Sequence, residues 1–429
     1  MRDLPGNIPR FLAFRVLFNA RFYYPVLGVL FLDLGLTVAQ YALLNVVWAV
    51  TIVALEVPSG ALADVIGRRR LVVAAAGLMV LEMAIFAFAP TGPLLFPLLV
   101  LNRILSGAAE ACASGADEAL AYESLPAKGR EAAWANVLVR LARWQSAAFF
   151  VAMLVGAACY DAAFVGRVAG WLGADWHPAS TTRWPLYLTL ATAVPCFLVT
   201  LGLQECRPPL GSLRAALRTA NANVWRGAVW IAGNRRVLLL VLAGLLGDSF
   251  VRLFLTFESN YFRLIDLPPA SYGVLGSAMA LLAYVAAPIA RRLVASQAVQ
   301  RNFAGLAGVI LVGLVGAAFA TSWPGVWVIV PLGLAMSALS FFLSHYLNAW
   351  APSDVRATVL SFRGLAFNLG YGILGLAFAA LTARLGGPHA DPNATLHRAL
   401  AWLPPAFLVC AGICAGFAWR SRSAPRAAQ

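Results

Sequence analysis

Gly60-Ala61-Leu62-Ala63-Asp64-Val65-Ile66-Gly67-Arg68-Arg69-Arg70 stands between two long apolar runs, residues 38–63 and 71–89. Each run approaches or exceeds the roughly 20 apolar residues that a helix needs to cross a bilayer. Three arginines in the short link between such runs mark the membrane face on which basic loops are retained. Gly67 supplies the freedom for a tight turn between helices. Gly60 lets a neighbouring helix come close. Asp64 falls at a helix end beside Arg68 and Arg69, where charge pairs can form.

The same alternation runs through the chain. Helices are expected at 10–33, 38–63, 71–89, 93–124, 132–159, 185–203, 237–264, 271–290, 303–321, 324–350, 356–383 and 398–419. Turn signals such as Pro90-Thr91-Gly92-Pro93, Pro268-Pro269 and Gly386-Gly387-Pro388 fall between them. Of the 429 residues, 61% are hydrophobic and 12% charged, against about 45–50% and about 25% in soluble domains. The mean hydropathy is +0.78. A chain this apolar needs an apolar solvent, so the fold class is an all-α membrane protein with twelve transmembrane helices.

The net charge of +14 does not indicate nucleic acid, because the arginines sit in short links between apolar runs and not on one folded face. Links on one side hold Arg68–Arg70, Lys128, Arg130, Arg291, Arg292, Arg301 and Arg356; those on the other hold mainly Arg167, Arg183 and Arg384. This asymmetry puts both termini in the cytoplasm of a protein of the cell (inner or plasma) membrane. The first apolar run carries Arg15 and Arg21 and no clear cleavage site, so it reads as a retained first helix. No CxxC pair occurs among the six cysteines, and His177, His345, His389 and His397 are scattered. Neither a metal site nor a cofactor is expected, and no nucleophile, base and ligand set of an enzyme comes together.

Residues 204–236 form the longest link, with Arg207, Arg214, Arg218 and Arg226 set among Leu213, Leu217, Val224, Trp225 and Trp230. This pattern predicts an amphipathic helix on the membrane surface. It separates an N-terminal six-helix bundle, 1–203, from a C-terminal one, 237–429. A shift of 231 residues places Arg21 on Arg252 and Tyr41 on Tyr272. A shift of 226 places Pro126 on Pro352 and Arg130 on Arg356. Parallel repeats of six helices fit these matches.

The quoted stretch resembles the G-x-L-A-D-x-x-G-R-R/K signature of the major facilitator superfamily, and it occupies the same place, after the second helix. The resemblance implies two pseudo-symmetric six-helix bundles working by alternating access, a monomer as the default state, and a cytoplasmic lock made by Gly60, Asp64, Gly67, Arg68 and Arg69. It also implies a cavity lined by the first, fourth, seventh and tenth helices. In the fourth, Leu101-Asn102-Arg103-Ile104-Leu105-Ser106-Gly107 resembles the R-x-x-Q-G pattern of proton-coupled drug antiporters, with Ser106 in place of Gln. Their fifth-helix glycine-proline motif is replaced by Val155-Gly156-Ala157-Ala158-Cys159. Glu56-Val57-Pro58-Ser59-Gly60 and Ala121-Tyr122-Glu123-Ser124-Leu125 resemble a bacterial branch of the superfamily.

Ionisable residues inside spans cost at least about 2.5–3.5 kcal/mol each at the bilayer centre, so they are expected to be paired or to face a wet cavity. Arg103, Gly107, Glu110, Ser114 and Asp117 recur at spacings of three and four, which predicts one polar stripe on the fourth helix; the alternative is that Arg103 and Glu110 only tie helices together. Asp248 and Arg252 are four apart, acid first, the favourable order for a helix pair. Arg21 is expected either to pair with Glu56 on the adjacent helix or, with Arg252, to hold an anionic substrate. His345 is a candidate for proton coupling, because imidazole is the side chain type used as a switch near neutral pH, with a gate or structural role as the alternative. Glu82 and Arg363 fall on helices that support the cavity in this family and are set in the second rank.

These features predict a secondary transporter moving a small-molecule substrate, coupled to protons through Glu110, Asp117 or Asp248. Export is favoured over uptake by the Arg103 motif. An importer of an anionic metabolite, using Arg21 and Arg252, is the second reading. A membrane-embedded sensor or enzyme on a transporter-like scaffold is the third.

Overall fold

A computed structural model describes residues 4, 6–174, 180–206, 212–319, 322–352, 355–387 and 390–423. His177, His389 and Arg207-Pro208-Pro209, noted in the sequence, lie outside the described residues. Among the described residues all regular structure is helical. The chain divides into two compact units, 1–222 with 267–277, and 223–266 with 278–429.

The first unit begins with a broken span. Helix α1 (Asn7–Asn19) is followed by a 3-10 turn over Tyr24–Val26 and by α2 (Leu27–Asp33). Pro25 lacks the N–H that a continuing helix needs. The backbone freed at the break finds other partners: Phe22 N donates to Thr189 Oγ1 at 3.0 Å. Helix α3 (Val38–Ile66) opens on a capping box, in which Gln40 N donates to Thr37 Oγ1 and Thr37 N to Gln40 Oε1. It ends at Gly67, whose φ of 98° turns the chain directly into α4 (Arg68–Phe88). At the far end of α4, Arg183 donates to the free carbonyls of Ala87 and Ala89, at 2.9 and 2.6 Å.

The fourth span is also broken, into α5 (Leu95–Ala113) and α6 (Ala116–Glu123), at Ser114 and a left-handed Gly115. Helix α7 (Arg130–Tyr160) crosses the first-span break through Gly156, where a Cβ would overlap the Phe22 carbonyl. Helices α8 (Ala162–Trp171) and α9 (Trp184–Leu201) follow, and α10 (Leu213–Gly233) carries the chain across the boundary at 222. Helix α10 occupies most of the described part of the expected central segment, 204–236. Segment 267–277 joins the first unit for a physical reason: Ala270 N donates to Asp161 Oδ2 at 3.2 Å, and Gly273 packs against the α7 backbone at Met153 and Leu154.

The second unit holds α11 (Arg235–Thr256) and α12 (Glu258–Leu264), two pieces of the seventh span separated at Phe257. Helix α13 (Ala270–Ser296) follows, then α14 (Val299–Phe319), α15 (Ile329–Trp350), α16 (Arg356–Leu385), α17 (Pro392–Leu400) and α18 (Leu403–Ser423). Among the described residues, eleven segments are long and apolar enough to cross a membrane by length and composition. Helix α13 takes the place of the eighth expected span, and its 27 residues reach about 40 Å at 1.5 Å per residue. The sequence reading of the first, fourth and seventh spans as continuous helices is corrected by these breaks.

The internal repeat has a local structural counterpart. Arg130 donates from Nε and Nη2 to the carbonyl of Leu125 at 3.1 and 2.8 Å. In the other unit Arg356 donates from the same two atoms to the carbonyl of Ala351 at 3.2 and 3.1 Å. Each carbonyl immediately precedes a proline, Pro126 or Pro352, so each arginine holds the end of the helix before it.

Candidate functional site

Inside the first unit, the break after α1 brings Arg21 against α4. Its Nη1 donates to a carboxylate oxygen of Glu82 and, at 3.2 Å, to Tyr23 Oη, while Nε donates to the Phe18 carbonyl at 3.2 Å. Asn102 on α5 completes the Glu82 shell, donating to Oε2 at 3.0 Å and to the backbone carbonyl at 2.7 Å. Arg103 Nε donates to Asn102 Oδ1 at 2.9 Å. The Arg103 guanidinium lies over Phe31 and Phe86, 5.5 and 5.7 Å from the ring centres, and the two rings stack on each other. Arg21, Glu82, Asn102 and Arg103 are all buried, with Glu82 fully so. A charge pair this dry holds because almost every polar atom around it is bonded. Arg103 Nη2 is the exception, a buried donor with no hydrogen-bond partner.

The expected pairing of Arg21 with Glu56 is therefore corrected. Glu56 sits on a half-buried face of α3 and has a buried oxygen without a hydrogen bond. Depth along the helix brought Glu56 level with Arg21, but the helix rotation turns it elsewhere.

The expected polar stripe on the fourth span separates into parts. Arg103 and Gly107 face the bundle; a Cβ at Gly107 would lie 2.9 Å from Thr51 Cβ and 3.0 Å from the Trp48 carbonyl of α3. Glu110 and Ser114 are exposed. Asp117 lies beyond the Gly115 break, buried, with Oδ2 3.2 Å from Arg15 Nη1 on α1. The break resets the helical phase, so the spacing of three and four does not carry through to Asp117.

At the end of the unit that holds the Gly60–Arg70 stretch, Arg68 pairs with Glu123 at 2.6 Å. Arg69 donates its backbone N–H to Glu205 Oε2 at 2.9 Å, and its side chain to the carbonyls of Leu203 and Leu201 at 2.7 and 3.1 Å. These bonds satisfy carbonyls at and just past the end of α9. Asn7 ties the start of α1 to Ser124 at 2.9 Å and exchanges two backbone bonds with Gln204. Asp64 is exposed and joins no ion pair among the described residues. The close approach expected at Gly60 is corrected: no atom lies within 4 Å of where its Cβ would be.

The second unit has its own cluster. Arg252 Nη2 lies 2.9 and 2.7 Å from the two Asp248 oxygens, and Nη1 donates to Asn368 Oδ1 on α16 at 2.9 Å. Its guanidinium stands over Tyr371, 5.4 Å from the ring centre. Tyr371 Oη shares a 2.8 Å hydrogen bond with Thr256 Oγ1, which donates back to the Arg252 carbonyl. The Arg252 side chain is 28% exposed, against 4% for Arg21. Beyond the break, Glu258 keeps a buried oxygen, and Asn260 both of its amide atoms, without hydrogen-bond partners. His345 is exposed on α15, stacked parallel to Phe341 and edge-on to Tyr346.

Sequence reasoning singled out neither Asn102, Asn368, Tyr371, Glu258 nor Asn260, and ranked Glu82 second. The available signal was their rarity as polar side chains inside apolar runs; only Asn102 is also next to one of the arginines singled out. No group of three or more potential metal ligands occurs among the described residues.

Comparisons with known proteins agree with this architecture. The family model described as Major Facilitator Superfamily matches residues 11–294. A comparison with curated proteins gives no match. Similar solved structures include a bacterial homologue of the human lysosomal transporter Spinster, inward-facing and unoccupied, with 16% identity over 96% of each chain and a TM-score of 0.71. The nucleoside transporter NupG is 14% identical over 96% of this chain and 97% of its own, with a TM-score of 0.65. A D-xylose-proton symporter is 15% identical over 94% and 95%, with a TM-score of 0.60. At these identities the likeness concerns the fold. Together with the family match over most of the chain, it establishes that this multi-pass membrane protein belongs to the major facilitator superfamily of transporters.

Proposed function

We propose that the protein is a proton-coupled secondary transporter working by alternating access, with Asp248 and Arg252 as the coupling pair and export as its direction. The observation that carries this reading is the contrast between the ion pairs of Arg21 and Arg252, the two arginines that match in the repeat. Arg21–Glu82 is sealed and bonded on nearly every side, which suits an anchor. Asp248–Arg252 has a side chain 28% exposed and extends by hydrogen bonds to Asn368, which lies on another span. Protonating Asp248 would remove the charge that holds Arg252 on α11 and leave the guanidinium to Asn368 and Tyr371. That change alters the link between the seventh and eleventh spans, which is what a coupling group must do. The basic links, Gly60–Arg70 included, then face the cytoplasm, and the protein acts as a monomer.

Reconstitution into liposomes enclosing a pH indicator, with a panel of small solutes, tests this directly. Wild type is expected to show solute-triggered proton movement and Asp248→Asn none, while solute binding survives. A proton signal unchanged in Asp248→Asn would refute the assignment. Uptake of an anionic metabolite remains the second reading, favoured by the partly open Arg252. Arg21 no longer supports it, because Glu82 already neutralises that charge. Transport in inverted vesicles under an imposed pH gradient separates the two directions.

A further inference from the structure

Helix α10 presents two unlike faces. One is seated, through its last two to three turns, on the second unit: a Cβ at Gly227 would lie 2.7 Å from Thr358 Cγ2 and 3.1 Å from the Thr358 carbonyl, and Ile231 is 2% exposed. The opposite face carries Arg214, Arg218, Trp225 and Val229, spaced by four, seven and four. At about 100° per residue these four fall within roughly 60° of one another. All four are exposed, Trp225 at 71% and Val229 at 54%. Asn221 and Ala222, also exposed, fill the stripe between the arginines and the tryptophan.

The charge around this stripe has one sign. No Asp or Glu occurs between Glu205 and Asp248, and the interval holds Arg207, Arg214, Arg218, Arg226, Arg235 and Arg236. Arg226, Arg235 and Arg236 are likewise exposed. An exposed tryptophan beside arginines is the composition of a helix lying at a bilayer surface: the indole seats at headgroup depth, and the guanidinium groups meet phosphate oxygens while their stems cover apolar surface. A water-facing helix gains nothing from a 71% exposed tryptophan. A protein-binding surface for a folded partner usually varies its charges to fix register; this one does not.

We infer that the Arg214–Arg218–Trp225–Val229 face of α10 binds the headgroups of anionic phospholipids in the bilayer that holds the protein. The inner face fixes the helix through Gly227 and Ile231, so the outer stripe is aimed without further ordering, and basic residues draw the anionic species from a mixed membrane.

The test uses the full chain, labelled with 5-fluorotryptophan, in nanodiscs of phosphatidylcholine with or without phosphatidylglycerol. Trp225→Phe identifies the Trp225 fluorine resonance by its loss, and the other tryptophan resonances report folding. Headgroup-spin-labelled phosphatidylglycerol is expected to broaden the Trp225 signal several-fold more than the equally labelled phosphatidylcholine. That preference should vanish in Arg214→Gln/Arg218→Gln, return in Arg214→Lys/Arg218→Lys, and weaken with added salt. Equal broadening by the two lipids would overturn the headgroup assignment. Broadening only by a water-soluble paramagnetic agent would overturn membrane contact altogether and leave an acidic protein as the occupant.

Discussion

Glu82 is the residue on which the first unit's polar core turns. Removing its charge leaves the Arg21 guanidinium buried beside a neutral amide. Breaking one partner of such a pair costs about 3–5 kcal/mol. Glu82→Gln is therefore expected to lower the thermal midpoint of the detergent-purified protein sharply, and Arg21→Met/Glu82→Met to recover much of the loss. If the double variant is as unstable as the single one, the pair is not the source of the effect. Gly60 supplies the opposite case. Its Cβ position is open, so Gly60→Ala is expected to hold or raise stability by up to about 1 kcal/mol, from helix propensity alone. A fall in transport by that stable variant would place the role of Gly60 in another state of the cycle. Cys206 gives a chemical readout at the same scale. Burial pushes its thiol above the ordinary range, and Ser124 Oγ lies 3.2 Å from its sulfur. A raised pKa leaves less thiolate at neutral pH, so alkylation at this cysteine should be slow and should quicken as pH rises. Asn7→Ala, which frees Ser124 and Gln204, should speed it at constant pH; peptide mapping by mass spectrometry would follow the site.

The helices themselves were legible because apolar runs of bilayer length leave few other structures open. The turn at Gly67 and the charge-bearing link around it were legible too, since both depend on residues adjacent in the chain. The partner of Arg21 was not. Sequence position fixes how deep a residue lies along a span but not the rotation of that span about its axis, and Glu56 and Glu82 differ in rotation. The same limit applies to Asp117. Its spacing from Arg103 assumed an unbroken helix, and one left-handed residue, Gly115, was enough to change its face. Breaks are element-scale features with measurable tolerance. Gly156 meets the first-span break so closely that a Cβ would overlap the Phe22 carbonyl. Gly156→Val must push α7 away, and it is expected to cost about 1–3 kcal/mol or more, visible as a lowered midpoint. A midpoint unchanged by that substitution would mean the contact at the break yields freely.

Over the whole molecule, the strongest trace of duplication is chemical and not compositional. The two units share little obvious sequence, yet Arg130 and Arg356 each donate twice to the carbonyl five residues earlier. That equivalence was readable as a shared Pro-x-x-x-Arg spacing, because both partners lie within one turn of chain. The ion pairs did not align in the same way: Arg21 and Arg252 match by position, but the carboxylate of one lies on a neighbouring span and that of the other on its own helix. Arg130→Gln and Arg356→Gln should therefore cost similar amounts, about 1.5–3 kcal/mol each for a charged hydrogen bond, and nearly add in the double variant, as sites in separate units should. Strongly unequal losses would show that the repeat is geometric without being energetic.

The short reach of those two arginine contacts bears on how the protein is made. Each closes over five residues, so it can form within one short stretch of chain, without waiting for a partner from a distant span. An arginine held against a helix end cannot easily be drawn through the bilayer. Each repeat thus carries a fastening that waits for no distant partner, and the chain can close both at positions 130 and 356 without the other half being in place.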